Sequence, residues 1–115
     1  MRSRPRQGDV WWVDLGTPIG HEQGYRRPGV VVSADAFNRL KEDLVFVVPT
    51  TTRERGKPYH VRLDPRASGL PKVCWAQVED LRSVSLARLQ EHIGEVDEAT
   101  LSEIGEIIRM LMGLP

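Results

Sequence analysis

Leu44-Val45-Phe46-Val47-Val48 is the longest uninterrupted apolar run in the chain. Five residues fall far short of the roughly 20 that a membrane span needs. β-Branched residues dominate the run, so it reads as a strand covered on both faces. The same texture repeats on either side: short β-branched and aromatic runs, separated by Gly, Pro and Asn. Val10-Trp11-Trp12-Val13-Asp14-Leu15 comes first, then Gly29-Val30-Val31-Val32-Ser33, started by Pro28. Tyr59-His60-Val61-Arg62-Leu63 alternates and reads as half-exposed. Val73-Cys74-Trp75-Ala76-Gln77, Leu81-Arg82-Ser83-Val84 and His92-Ile93-Gly94-Glu95-Val96 complete the set.

The connections differ in character. Residues 34–42 suit a short helix with Ala36, Phe37 and Leu40 on one side, whereas 50–58 contain no apolar residue. Ser85 is placed to cap a single helical turn over Leu86-Ala87-Arg88-Leu89. At the C-terminus the period changes. Asp97 and Thr100 are both candidate caps, and Thr100 to Glu103 has capping-box spacing. Leu101, Ile104, Ile108 and Leu111 share one helical face, which Ile107, Met110 and Met112 widen, and Gly113 ends the helix. Short strands followed by one helix predict a mostly β domain with a C-terminal α-helix. Its form would be a small, strongly curved antiparallel barrel with the helix packed at one end, one domain over residues 1–115.

The 115 residues are 40% hydrophobic and 28% charged, a globular mix. Cys74 is the single cysteine, which excludes an internal disulfide. It reads as an inert buried thiol, and the chain as cytoplasmic. Met1-Arg2-Ser3-Arg4-Pro5-Arg6 runs into a charged turn with no apolar signal segment behind it, so neither secretion nor membrane association is expected. Net charge is zero. Residues 1–66 carry 12 basic and 8 acidic side chains, and the remainder carry 4 and 8, so a basic face could be built from the first part. His21, His60 and His92 lack metal-type partners at i+3 or i+4. No zinc pattern and no phosphate-gripping Gly-rich loop occurs, so neither metal nor cofactor is expected.

What chemistry remains lies in loops. Gly20-His21-Glu22-Gln23-Gly24-Tyr25-Arg26-Arg27-Pro28 packs an imidazole, a carboxylate and two guanidiniums into nine residues. Pro49-Thr50-Thr51-Thr52-Arg53 reads as a hydroxyl-rich turn that could hold an oxyanion. Gln77-Val78-Glu79-Asp80 places polar groups at a strand end. These segments together could form an anion-binding, proton-transferring site.

The same residues resemble the MazF/PemK (Kid) toxins of bacterial toxin–antitoxin systems. The likeness begins at Gly8-Asp9-Val10-Trp11-Trp12 and runs through Gly20-His21-Glu22-Gln23 to Arg27-Pro28. It continues in Val48-Pro49-Thr50-Thr51-Thr52, in Glu79-Asp80-Leu81-Arg82-Ser83-Val84, and in Gly94-Glu95-Val96 with the terminal helix. The resemblance implies a homodimeric SH3-like barrel of the MazF/CcdB kind. It implies metal-free cutting of single-stranded RNA, usually mRNA, at short sequences, and a cognate antitoxin (MazE/PemI-like) that blocks the RNA groove. By position the catalytic Arg and Thr fall on Arg27 and Thr51, the PemK-branch His on His21 and its acidic residue on Glu79. That branch's RNA-contacting Arg falls on Gln77, and many members have Gln where Asp80 stands.

Metal-free RNA cleavage uses the 2′-hydroxyl as nucleophile and leaves a 2′,3′-cyclic phosphate and a 5′-hydroxyl, so DNA should not be cut. Arg27 would stabilise the phosphorane, Thr51 would donate a hydrogen bond, and His21 would act as acid or base. Glu22 and Glu79 are alternative bases or orienting groups. Gln23, Tyr25, Arg26, Thr50, Thr52, Arg53 and Gln77 are the expected RNA contacts. Glu79 could instead pair with Arg82, and His60 and His92 carry no assigned chemistry. Two rival functions remain: a CcdB-like gyrase poison acting by protein contact, and an inactive RNA-binding member.

Overall fold

The computed structural model describes residues 4–115. Its longest strand, β3 (Leu44–Thr51), organises the rest. One edge of β3 pairs antiparallel with β2 (Arg26–Val31) from Val47 to Pro49. The other edge changes partner. Leu44 to Val47 pair with β6 (Arg82–Ser85), while Thr50 and Thr51 pair with β5 (Cys74–Gln77). A 3-10 turn over Val78–Asp80 bridges β5 and β6 at that change. Adding β1 (Asp9–Asp14), β4 (His60–Leu63) and β7 (Leu89–Glu95) gives the order β4-β5-β3-β2-β1-β7, with β6 on β3.

The strands expected from sequence are present, with boundaries moved. The run at residues 44–48 extends through Pro49 to Thr51. Proline ends a ladder only where its missing N–H is needed, and among the described residues no strand pairs opposite Val48 and Pro49 on the edge where β6 gives way to β5. β2 likewise begins two residues before Pro28. The run is also not covered on both faces. Val45, Val47 and Val48 are buried, but Leu44 and Phe46 are exposed, and Phe46 packs on Phe37 with ring centroids 5.3 Å apart. The expected helix at 34–42 shrinks to α1 (Asp35–Asn38), and Leu40 is exposed. β7 starts at Leu89, immediately after a 3-10 turn that Ser85 caps as expected.

The barrel is open in hydrogen-bonding terms, because β4 and β7 form no ladder among the described residues. Packing closes the seam instead. A one-turn helix, α2 (Pro65–Ser68), follows β4 and lies against β7. The contact is backbone to backbone: a Cβ on Gly94 would fall 2.2 Å from the Ser68 carbonyl oxygen.

The curved sheet carries apolar residues on both faces. Val10, Val30, Val48, Val61, Leu63 and Ala76 pack with Ile104 and Ile107 of α3 (Glu98–Met112). Trp11, Val13, Val31, Val45, Val47 and Leu89 form a second cluster. Asp97 alone caps α3, its Oδ1 accepting from Thr100 N at 2.8 Å, so Thr100 is a first-turn residue and not a cap. Gly113 ends the helix in the left-handed conformation. The apolar stripe outruns the core: Ile104 is fully buried, whereas Met110, Leu111 and Met112 are exposed.

Candidate active site

Side chains on a strand alternate between faces. In β4 and β5, Val61, Leu63, Cys74 and Ala76 turn into the core under α3, so His60, Arg62, Trp75 and Gln77 face the other way. The same alternation holds in β2 and β3. Gly29 pairs with Pro49, and Thr50 Oγ1 donates to the Pro28 carbonyl at 2.8 Å. Continued two residues past its last pair, Gly29–Pro49, this register directs Arg27 toward Thr51, on the face that carries His60 and Gln77.

Arg27 is half-buried, and among the described residues only its Nε has a partner, donating to the Gly24 carbonyl at 3.1 Å. Both Nη groups remain open to an anion. Thr51 is not a turn residue. It ends β3 and is 3% exposed. Its Oγ1 accepts the Arg53 N–H at 3.1 Å, which folds the turn after it and leaves the hydroxyl proton free to donate.

A cavity of about 320 Å³ reaches β3 at Pro49, two residues before Thr51, and is lined by Glu22, Gln23, Pro49, Glu79, Asp80, Leu81 and Arg82. The loop before β2 is docked onto it. Glu22 Oε1 accepts from Ile19 N at 2.9 Å, which shapes the loop, and the Gln23 side-chain amide donates to Gln77 Oε1. Tyr25 stands at φ +61° and hands the chain into β2 with its ring exposed.

Glu79 does not pair with Arg82, which donates to the Leu15 carbonyl instead. Glu79 Oε2 meets His60 Nε2 at 2.9 Å. The His60 side chain is 3% exposed and its Nδ1 is buried without a partner among the described residues. His60 was not singled out by sequence; the only available signal was its strand pairing with Gln77, which needs the fold. Asp80 follows, with Oδ2 buried and without a hydrogen-bond partner among the described residues. Its carboxyl is raised above the usual range, first by loss of solvent and then by the charge of Glu79.

Several expected contacts lie elsewhere. Thr50 is buried and its hydroxyl is spent on Pro28; Gln77 is buried against Gln23. The Thr50 hydroxyl proton and the Gln77 Oε1 are thus engaged within the fold, unlike the hydroxyl proton of Thr51. Arg26 points to the face opposite Arg27, over the Trp12 ring at 4.1 Å, with its Nε donating to Gln90. His21 is exposed and has no partner among the described residues, and Thr52 and Arg53 are exposed at the rim. Cys74 is buried, its thiol pushed up by desolvation. No group of three or more His, Cys, Asp and Glu among the described residues is arranged to hold a metal ion. No helix among them is long and apolar enough to cross a membrane.

Residues 6–112 match the family model of the PemK-like, MazF-like toxin of type II toxin–antitoxin systems. The chain is 37% identical to endoribonuclease MazF9 of Mycobacterium tuberculosis, over 95% of this chain and 97% of that one. Its fold superposes on the crystal structure of MazF from Deinococcus radiodurans with TM-score 0.86 and 30% identity, covering 98% and 100% of the two chains. It also superposes on a mycobacterial endoribonuclease in complex with its cognate antitoxin, with TM-score 0.79 and 28% identity over 96% and 97%.

Proposed function

The chain belongs to the PemK-like, MazF-like toxin family, and from that premise we propose that it cuts single-stranded RNA and is silenced by a cognate antitoxin. The reading is supported by the β2–β3 register, which continued past Gly29–Pro49 directs Arg27 toward Thr51, and by the His60–Glu79 pair on the same face of the sheet.

In this mechanism the 2′-oxygen attacks the adjacent phosphorus and the P–O5′ bond breaks, leaving a 2′,3′-cyclic phosphate and a 5′-hydroxyl. The two Nη groups of Arg27 match the phosphate oxygens and hold the charge that builds on the phosphorane. Thr51 donates its hydroxyl to the same group. His60 holds one oxygen of Glu79, which leaves the other to accept the 2′-proton. His21, on the loop that Glu22 shapes, returns a proton to the leaving 5′-oxygen. Gln23, Tyr25, Thr52 and Arg53 line the approach of the strand. No metal and no cofactor enters these steps, and DNA, lacking the 2′-hydroxyl, is bound at most.

The protein works as one cytoplasmic domain and as a homodimer. Exposed Met110, Leu111, Met112 and Leu114 on the last turn of α3 and beyond, with Leu44 and Phe46 on β3, offer apolar surface for a second copy. The antitoxin carries an acidic, flexible segment that competes with RNA for the basic surface. The test is cleavage of a mixed single-stranded RNA pool, with DNA of the same sequences alongside and the ends read out. Cyclic phosphate ends on RNA alone are expected. Intact RNA in the presence of well-folded protein would overturn the reading, and gyrase inhibition would then be assayed.

A further inference from the structure

Arg62, Trp75 and Thr51 are direct neighbours in three adjacent strands. Arg62 pairs with Trp75, and Trp75 pairs with Thr51. The β2–β3 register, continued past Gly29–Pro49, directs Arg27 to this row as a fourth member, so it runs Arg62–Trp75–Thr51–Arg27 from β4 to β2. All four face away from the core under α3, because their neighbours Val61, Leu63, Cys74 and Ala76 fill that core. Three inter-strand steps make the row about 14 Å long, against about 3.4 Å per nucleotide in a stacked strand.

The chemistry of the row is unspent. Trp75 is half-buried. Arg62 is exposed and its guanidinium has no ion pair or hydrogen bond among the described residues. The chain leaves the row at Thr51 and re-enters beside it at His60, through a segment whose exposed Arg53, Arg55 and Lys57 outweigh the single Glu54. The side chains of these three also carry no partner among the described residues. Uncommitted cations on both sides of an indole set among strands describe a stacking platform with an electrostatic approach. An acidic peptide would use the cations but gains nothing specific from the indole, so the observations favour nucleic acid.

We propose that Trp75 and Arg62 form a second RNA subsite, in which a base flanking the scissile linkage stacks on Trp75 and Arg62 holds a neighbouring phosphate. The inference rests on the ribonuclease reading and extends it from the scissile phosphate to the strand beside it. The subsite contributes binding and no chemistry, so its loss appears in KM and in the affinity for RNA, with kcat kept.

The experiment uses the full-length protein and a labelled 12-nucleotide RNA that contains a cut site taken from the pool. A second version carries a single 2′-deoxy nucleotide at that site, so that binding is read without cleavage. Trp75→Leu should weaken binding of the deoxy-marked strand about 10-fold, with kcat within about 3-fold of wild type. Trp75→Phe keeps a ring and should stay within about 3-fold of wild-type affinity. Arg62→Gln should weaken binding and lower the slope of log affinity against log salt by about one. RNA should quench part of the tryptophan fluorescence, and Trp75→Phe should remove that part. Unchanged RNA affinity in folded Trp75→Leu and Arg62→Gln would overturn the proposal, as would loss of antitoxin binding alone. Were Trp75→Leu to misfold, Trp75→Phe and Arg62→Gln would still decide it. If wild type cuts no RNA, no cut site exists and the ribonuclease reading fails. An uncut strand from the pool then takes the binding test, and Trp75-dependent affinity would show the subsite standing without it.

Discussion

Replacing Gly94 by alanine should push β7 away from α2 and open the seam of the barrel. A Cβ at that position would lie 2.2 Å from the Ser68 carbonyl oxygen and 2.9 Å from its carbon. Real Cβ atoms do not approach closer than 3.0 Å, so the two segments must separate by at least about 0.8 Å. Both partners are backbone, and no rotamer change relieves the clash. Overpacking of this kind costs about 1–3 kcal/mol, and the absence of a flexible partner puts Gly94→Ala near the upper end. For 115 residues the unfolding entropy is about 0.24 kcal/mol/K, so the melting temperature should fall by about 12 °C. Gly105→Ala is the matched control. It lies mid-helix with nothing within 4 Å of the added methyl, and should gain about 0.5–1 kcal/mol, or 2–4 °C. Thermal melts by circular dichroism measure both. A Gly94→Ala melt within about 2 °C of wild type would refute the claim that tight backbone packing holds the seam.

Further outcomes follow from single residues. Asp80 has its pKa raised by burial and by Glu79, so the folded state holds its proton to higher pH than the unfolded chain and stability falls as pH rises through that window. Asp80→Asn should therefore melt above wild type at pH 7, and the gain should disappear as pH falls through the ordinary carboxylate range; equal melts at pH 7 would contradict this. Asp97 has its pKa lowered by the Thr100 hydroxyl and then by the Thr100 N–H. The stability it adds is present above the ordinary carboxylate pKa and is lost as pH falls through the lowered one, so Asp97→Ala should destabilise at pH 7 and converge with wild type in acid melts. Thr50→Val removes the bond to Pro28 and should cost about 1 kcal/mol of stability while leaving KM for RNA unchanged, since that hydroxyl donates to the Pro28 carbonyl.

The strands and the terminal helix were legible because period and punctuation are local. Val10–Leu15 and Ile104–Ile108 announce themselves in any register. What stayed hidden depends on partners. Pro49 reads as a stop, yet it falls where β3 changes neighbour and no hydrogen bond is missed. Phe46 reads as core because every residue around it is apolar, and only the face it takes in β3 exposes it. The candidate site divides the same way. Arg27 and Thr51 could be singled out from sequence, but their apposition needs the β2–β3 register, 24 residues apart in the chain. His60 looked ordinary because its partner Glu79 is 19 residues away and the burial of the pair is a property of the fold.

The most direct test of the central claim is single-turnover cleavage at saturating RNA, in the presence of a chelator, by wild type and Arg27→Ala. Loss of one preorganised donor to a charged transition state costs about 10²–10³ in rate. The cleavage rate of Arg27→Ala should fall by that factor, with its melting temperature kept and its affinity for the 2′-deoxy strand within about 10-fold. Near wild-type cleavage by Arg27→Ala at the same sites would contradict the account.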